Sequence, residues 1–174
     1  MFKELNTLKL FFDSPTKEFN VREISRKVKI APATASKDLD NLSKKGILTK
    51  RKERNLSLFK ANLDNNLYND LKVFYVLRKI KESGLIEELN KFYGKPTLVL
   101  FGSVSNGLDV EDSDIDFLII SEKKSDFPFK EKYEKKLNKD IHMFIVKDIK
   151  EITNKHLINN MINGIVLQGA IKWI

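Results

Sequence analysis

The sequence predicts an α+β fold in two modules joined by a helical linker, and three observations carry that prediction. The formal net charge of +8 sits wholly in residues 1–62, which hold 15 Lys+Arg against 7 Asp+Glu, while residues 63–174 hold 17 of each. Within the first stretch the apolar residues keep helical spacing and end in a short basic hairpin pattern. Beyond Pro96 the pattern changes to short apolar runs separated by charged helical segments, which reads as a small sheet with helices. The predicted boundaries are 1–62 for the first module, 63–84 for the linker helix and 85–174 for the second module.

A chain of 174 residues accommodates one ordinary domain or two small ones. No apolar run reaches membrane-spanning length. The opening stretch has charges spread through it, which is a poor signal peptide. Cysteine is absent, which excludes disulfides, thiol catalysis and cysteine-zinc sites and fits a reducing, cytoplasmic setting. No repeat or low-complexity segment stands out.

In the first module a helix is expected from Phe2 to about Phe12, stopped near Ser14-Pro15. Asn20, with Glu23 three residues on, reads as a capping box for a short helix at Val21–Val28. After a turn at Lys29-Ile30, Pro32 suits the first position of a third helix and Gly46 its end. On that helix Ala35, Leu39 and Leu42 share one stripe, and Thr34, Lys37, Asn41 and Lys44 the opposite one. Ile47–Thr49 and Leu56–Phe59 read as two short strands joined by a basic turn over Lys50–Asn55.

Helix, short helix, turn, helix and basic hairpin together resemble the winged helix-turn-helix of bacterial and archaeal regulators. The resemblance implies that the third helix enters the major groove of duplex DNA while the hairpin flanks the backbone. Lys37, Lys44, Lys50, Arg51, Lys52 and Arg54 would then meet phosphates, and Thr34, Ser36 and Asn41 base edges. Structured RNA and a protein-contact role are the competing readings.

Residues 63–83 are expected to be helical, with Leu67, Leu71, Phe74 and Leu77 on one apolar stripe and Val73, Val76 and Ile80 on a second. Such a helix should be covered on two sides, by the modules or by a second copy in a homodimer. Gly84 ends it, a short helix Leu85–Tyr93 follows, and Gly94-Lys95-Pro96 turns the chain.

Thr97–Phe101 reads as a buried strand. Gly102-Ser103 and Gly107 follow it, and small residues at such a turn let backbone N–H groups approach phosphate oxygens, most effectively where the turn starts a helix. Asp114-Ile115-Asp116 then opens a second strand, whose alternation sends both aspartates to one face. Two ionised carboxylates so close repel unless a divalent cation compensates them. Asp140 heads a third strand, expected beside the second. His142 shares its face, and both a packed and a site-facing role stay open. Lys123-Lys124 and the Lys130–Lys139 run read as solvated faces or an acceptor surface, and Trp173 as a packing residue.

The ordered set Gly102, Ser103, Gly107, Ser113, Asp114, Asp116 and Asp140 resembles the polymerase-beta-type nucleotidyltransferase superfamily, closest to its minimal nucleotidyltransferases. The resemblance spans roughly residues 85–174. It implies a small mixed sheet, with Asn163–Gly169 as its last edge segment. It also implies a two-metal Mg²⁺ site on Asp114, Asp116 and Asp140, with Asp140 as the third carboxylate. A nucleoside triphosphate, expected to be ATP, would be held by Gly102, Ser103, Gly107 and Ser113. The implied reaction moves a nucleotidyl group to a hydroxyl and releases pyrophosphate. Minimal nucleotidyltransferases often act as antitoxins that adenylylate a HEPN-type toxin, which makes a protein one candidate acceptor. The acidic loop Leu108–Asp112 departs from relatives that carry a basic residue there. The alternative functions are a DNA-binding regulator that senses nucleotide without turnover and an RNA-modifying nucleotidyltransferase.

Overall fold

The computed structural model describes residues 2–172; Trp173 lies outside them. The chain forms two compact units, Met1–Tyr75 and Val76–Ile174. Both mix helices with a small sheet, and the fold is α+β. Among the described residues no helix is long and apolar enough to cross a membrane.

The first unit runs α1 (Phe2–Asp13), β1 (Phe19–Asn20), α2 (Val21–Val28), α3 (Pro32–Lys44), β2 (Leu48–Glu53) and β3 (Leu56–Ala61). The sheet order is β1-β3-β2 with antiparallel neighbours. The Asn20 side chain accepts from the Glu23 N–H at 3.0 Å and Glu23 accepts from the Asn20 N–H at 2.9 Å, so the capping box forms at α2. Lys29 takes the left-handed conformation after α2, with φ 59°. The Ser25 hydroxyl donates to the Ile30 carbonyl at 2.6 Å and fixes the turn into α3. Ala35, Leu39 and Leu42 enter a core with Phe11, Phe19, Ile24 and Phe59.

The hairpin differs from expectation. The strands continue through the basic residues, and only Arg54-Asn55 make the turn, with Arg54 at φ 51°. The alternation signal is missing because β2 is an edge strand exposed at every residue after Leu48.

Helix α4 (Asn66–Ser83) crosses the division between the units. Asn65 caps it, its side-chain oxygen accepting from the Tyr68 N–H at 3.0 Å. The expected burial of one apolar stripe fails: Leu67 is 43% and Phe74 49% exposed. The buried residues are Tyr68, Lys72, Val76 and Ile80, at i, i+4, i+8 and i+12, with Ser83 at the helix end; Val76 and Ile80 belong to the second expected stripe. A charged residue inside that stripe hid it from hydrophobic periodicity, and the Tyr68 hydroxyl sits inside by donating to the Phe11 carbonyl at 2.8 Å.

The second unit continues with α5 (Leu85–Tyr93), β4 (Thr97–Phe101), a 3₁₀ turn at Val104–Asn106, β5 (Ile115–Ile120), α6 (Lys130–Leu137), β6 (Ile141–Val146), a 3₁₀ turn at Ile149–Glu151, α7 (Lys155–Ile162) and β7 (Ile165–Gln168). The sheet order is β6-β5-β4-β7. Neighbours of β4 are antiparallel, while β5 and β6 are parallel and joined through α6. Apart from Thr97 and Asp116 the central strands β4 and β5 are apolar, because both sheet faces are covered. One face packs Val99, Phe101 and Leu118 with Ile149 and Met161. Edge strand β7 is tied to α5 by the paired amides of Gln168 and Asn90, at 2.6 and 2.9 Å.

Candidate functional site

Where β4 ends and β5 begins, strand register brings the glycine turn against the acidic strand end. Phe101 pairs with Asp116, so Gly102 meets the Asp116 side chain. Gly102 has φ +77°, and a Cβ there would fall 2.4 Å from Asp116 Oδ2. The left-handed backbone favours glycine here, and a Cβ would have to displace the Asp116 carboxylate. Gly102→Ala should cost about 2 kcal/mol, from left-handed strain and overpacking, and should lower the thermal midpoint in calorimetry. An unchanged midpoint would rule out the cradle.

The turn continues as a 3₁₀ turn rather than the helix start the sequence suggested. Ser105 Oγ donates to the Gly102 carbonyl at 2.8 Å, and the Leu108 N–H donates to the Ser103 carbonyl at 3.0 Å. Gly107 closes the turn at φ 69°. Ser113 Oγ accepts from the Val110 N–H at 2.9 Å, so its hydroxyl oxygen shapes the loop leading to Asp114.

Asp114 precedes β5 and Asp116 is its second residue. On parallel β6, His142 is the register partner of Asp116, and Ile141 of Ile115. Asp140 stands just before β6, its carbonyl accepting from the Ile115 N–H at 2.9 Å. His142 Nδ1 lies 3.5 Å from Asp114 Oδ2 and 3.4 Å from Asp116 Oδ1. Its side chain is 53% exposed, so it is no core histidine. Burial raises the Asp116 carboxyl above its ordinary value, with Asp114 adding to the rise and His142 opposing it. A cavity of about 540 Å³ borders Asp114 and Asp140 together with Glu111, Asp112 and Glu131; Gly102, Ser103 and Asp116 are not on its wall.

The acidic loop is compensated from within the protein. Asp109 is 1% exposed, and Lys139 Nζ lies 3.2 Å from its Oδ2. The same ammonium donates to the carbonyls of Val110 at 2.8 Å, Ser113 at 3.0 Å and Glu111 at 3.4 Å. One side chain thus fastens the loop that delivers Asp114, a role that a lysine-rich run in the sequence does not disclose. Other lysines of these runs are also engaged: Lys124 pairs with Glu151 at 2.6 Å and Lys123 lies over the Phe92 ring.

Residues 82–167 match the family model described as "Nucleotidyltransferase domain". The C-terminal half carries a nucleotidyltransferase domain. That domain contains the turn, both strand-end aspartates, Lys139, Asp140 and His142. A solved structure described as "Possible transcriptional regulator from Methanosarcina mazei Go1" is similar at 18% identity, covering 53% of this chain and 78% of that chain, with a TM-score of 0.36. No curated protein matches the chain.

Nucleotidyltransferase domains work with a nucleoside triphosphate and a divalent metal, and the residues here fit that ion. Asp114 and Asp116 supply hard oxygen donors from one strand end, and the Gly102 cradle keeps the backbone clear of Asp116 Oδ2. Among the described residues no three His, Cys, Asp or Glu side chains are placed to hold a metal ion together.

In the first unit, Thr34, Lys37 and Lys44 are exposed on α3, and Ser36 and Asn41 half-buried. Lys52 and Arg54 are exposed on the hairpin. Lys50 and Arg51 are already paired, Lys50 with Asp40 at 2.7 Å and Arg51 with Glu18 and Glu53. The Arg51 bond holds the Glu18 carboxyl below its usual range.

Proposed function

We propose that the second unit is a Mg²⁺-dependent nucleotidyltransferase that moves a nucleotidyl group from ATP to a hydroxyl of a protein or other acceptor. We read the first unit as a winged helix-turn-helix that holds the enzyme on duplex DNA. The observation that carries the enzyme reading is the meeting of the Gly102-Ser103 turn with the Asp114–Asp116 strand end inside the matched domain. In this reading the Gly102-Ser103 turn binds the triphosphate through backbone N–H groups and the serine hydroxyl. Asp114, Asp116 and Asp140 would hold the metal, which when bound supplies neutralisation of the phosphate charge. Asp140 accepts the proton of the attacking hydroxyl. Lys139 keeps the loop ahead of Asp114 in one position. Pyrophosphate leaves as the acceptor oxygen bonds the α-phosphorus.

The test is incubation with α-labelled ATP and Mg²⁺ or Mn²⁺ alongside candidate acceptors. Transferred label with released pyrophosphate supports the enzyme. Nucleotide binding without pyrophosphate release would replace it with a sensor. For the first unit, gel shifts should show salt-sensitive affinity for duplex DNA over RNA. Since log affinity falls with log salt by about 0.9 per neutralised phosphate, removing Lys37, Lys44, Lys52 and Arg54 together should flatten the slope by about 3 to 4. Removing Lys50 and Arg51 should flatten it by less than about 1, because both already bind carboxylates. A salt-independent affinity, or stronger binding to RNA, would end the DNA reading.

A further inference from the structure

We infer that α4 pairs with the α4 of a second copy of this chain, antiparallel, about a two-fold axis at Phe74. Neither the enzyme nor the DNA reading is needed for it. The helix buries Tyr68, Lys72, Val76 and Ile80. At about 100° per residue, Leu67 and Phe74 fall on the opposite face, and they are 43% and 49% exposed. Leu71 and Leu77 flank them, each half-buried. Leu67, Leu71, Phe74 and Leu77 recur at spacings of four and three, the seam along which two helices pack.

Charge along that face selects both the occupant and its direction. Asp70 lies on it toward the N-terminal end, while Arg78 and Lys81 lie on it toward the C-terminal end; all three are exposed. Arg78 also pairs with Glu82 on its own helix, and both side chains remain more than half exposed. In an antiparallel pair, residues equally far from Phe74 on its two sides come level across the axis. Phe74 then meets Phe74, Leu71 comes level with Leu77, and Asp70 with Arg78, with Lys81 one turn further on. The two-fold axis repeats the last two contacts. A parallel pair would instead set Asp70 against Asp70 and Arg78 against Arg78, juxtapositions that cost affinity. The face therefore complements itself in one direction only.

Sedimentation equilibrium of the full chain across concentration is the first measurement, and the wild type should dimerise reversibly. Phe74→Glu should weaken the dimer by about 100-fold and Asp70→Lys by about tenfold. Both variants should keep the wild-type circular dichroism spectrum, because both side chains are exposed. Direction is read by cross-linking, and the cysteine-free chain gives no background. Leu67 and Lys81 stand about 21 Å apart along the helix. A short bismaleimide should join Leu67→Cys to Lys81→Cys in a mixture of the two variants and should leave Leu67→Cys alone unjoined. That pattern, with the dimer lost in Phe74→Glu, supports the inference. A monomer up to millimolar concentration, a dimer that Phe74→Glu leaves intact, or Leu67→Cys joined to itself overturns it.

Discussion

Asp114→Asn combined with Asp116→Asn should abolish the nucleotidyl transfer proposed for the second unit and, in metal-free buffer, should raise the melting temperature. The two effects share one cause. Both carboxylates sit at the start of one strand, and burial raises the Asp116 carboxyl. Two like charges in a partly dehydrated strand end are unfavourable until a cation arrives. Amides remove that repulsion and with it the donors for the ion. Losing several kcal/mol of charge stabilisation in the transition state lowers the rate by about 10³-fold or more. Relieving the strand end adds about 1 kcal/mol of stability, or about 4–8 °C for a unit of this size.

The pH dependence follows with a definite sign. The folded Asp116 carboxyl binds its proton more tightly than the ordinary value of 3.8, so the folded state holds more protons than the unfolded one in that window. Its contribution to stability is complete below the unfolded value and is lost as pH rises through the folded one. Metal-free wild type should lose stability as pH climbs out of the carboxylate range, and Asp116→Asn should flatten that loss. Initial rates with labelled ATP and thermal melts across pH test the pair. A double variant that still transfers label, or melts below the wild type without metal, would remove the physical basis of the site.

Lys139→Met should be the most damaging single change to the second unit's stability. It strips the cation from Asp109, which is 1% exposed, and the donor from three loop carbonyls. Removing one partner of a buried pair costs about 3 kcal/mol, which lowers the midpoint by about 12 °C or more. Adding Asp109→Asn should recover a large part, because the buried charge that needed the lysine is gone. Calorimetry of both single variants and the double measures the coupling. Strictly additive losses would show that Lys139 and Asp109 do not depend on each other.

Much of this molecule was legible from its residues, for identifiable reasons. The capping box at Asn20 and Glu23 is local chemistry, and the α3 stripe of Ala35, Leu39 and Leu42 is plain periodicity; both formed as expected. The run Thr97–Phe101 is bounded by Pro96 and Gly102, and it folds as β4 over those residues. What eluded the sequence is pairwise or global. Alternation assigns Asp114 and Asp116 to one face, but only the register of β6 against β5 reveals that His142 stands opposite Asp116. A one-residue slip would have turned it to the other face. Lys139 read as one cation in a solvated run, because its value lies in a carboxylate about thirty residues upstream. The α4 stripe was misassigned because Lys72 is inside and Phe74 outside, the reverse of their hydropathy. The basic residues of β2 read as a turn because nothing covers that edge strand.

The parallel pairing of β5 with β6 also sets an order of events during synthesis. Asp114 and Asp116 leave the ribosome well before residues 141–146, and non-local parallel pairing forms slowly. For that interval the nascent chain holds the acidic strand end without its neighbour. Free divalent ions or nucleotide in the surrounding medium can screen it then, so refolding rates should rise with magnesium even before any turnover is possible.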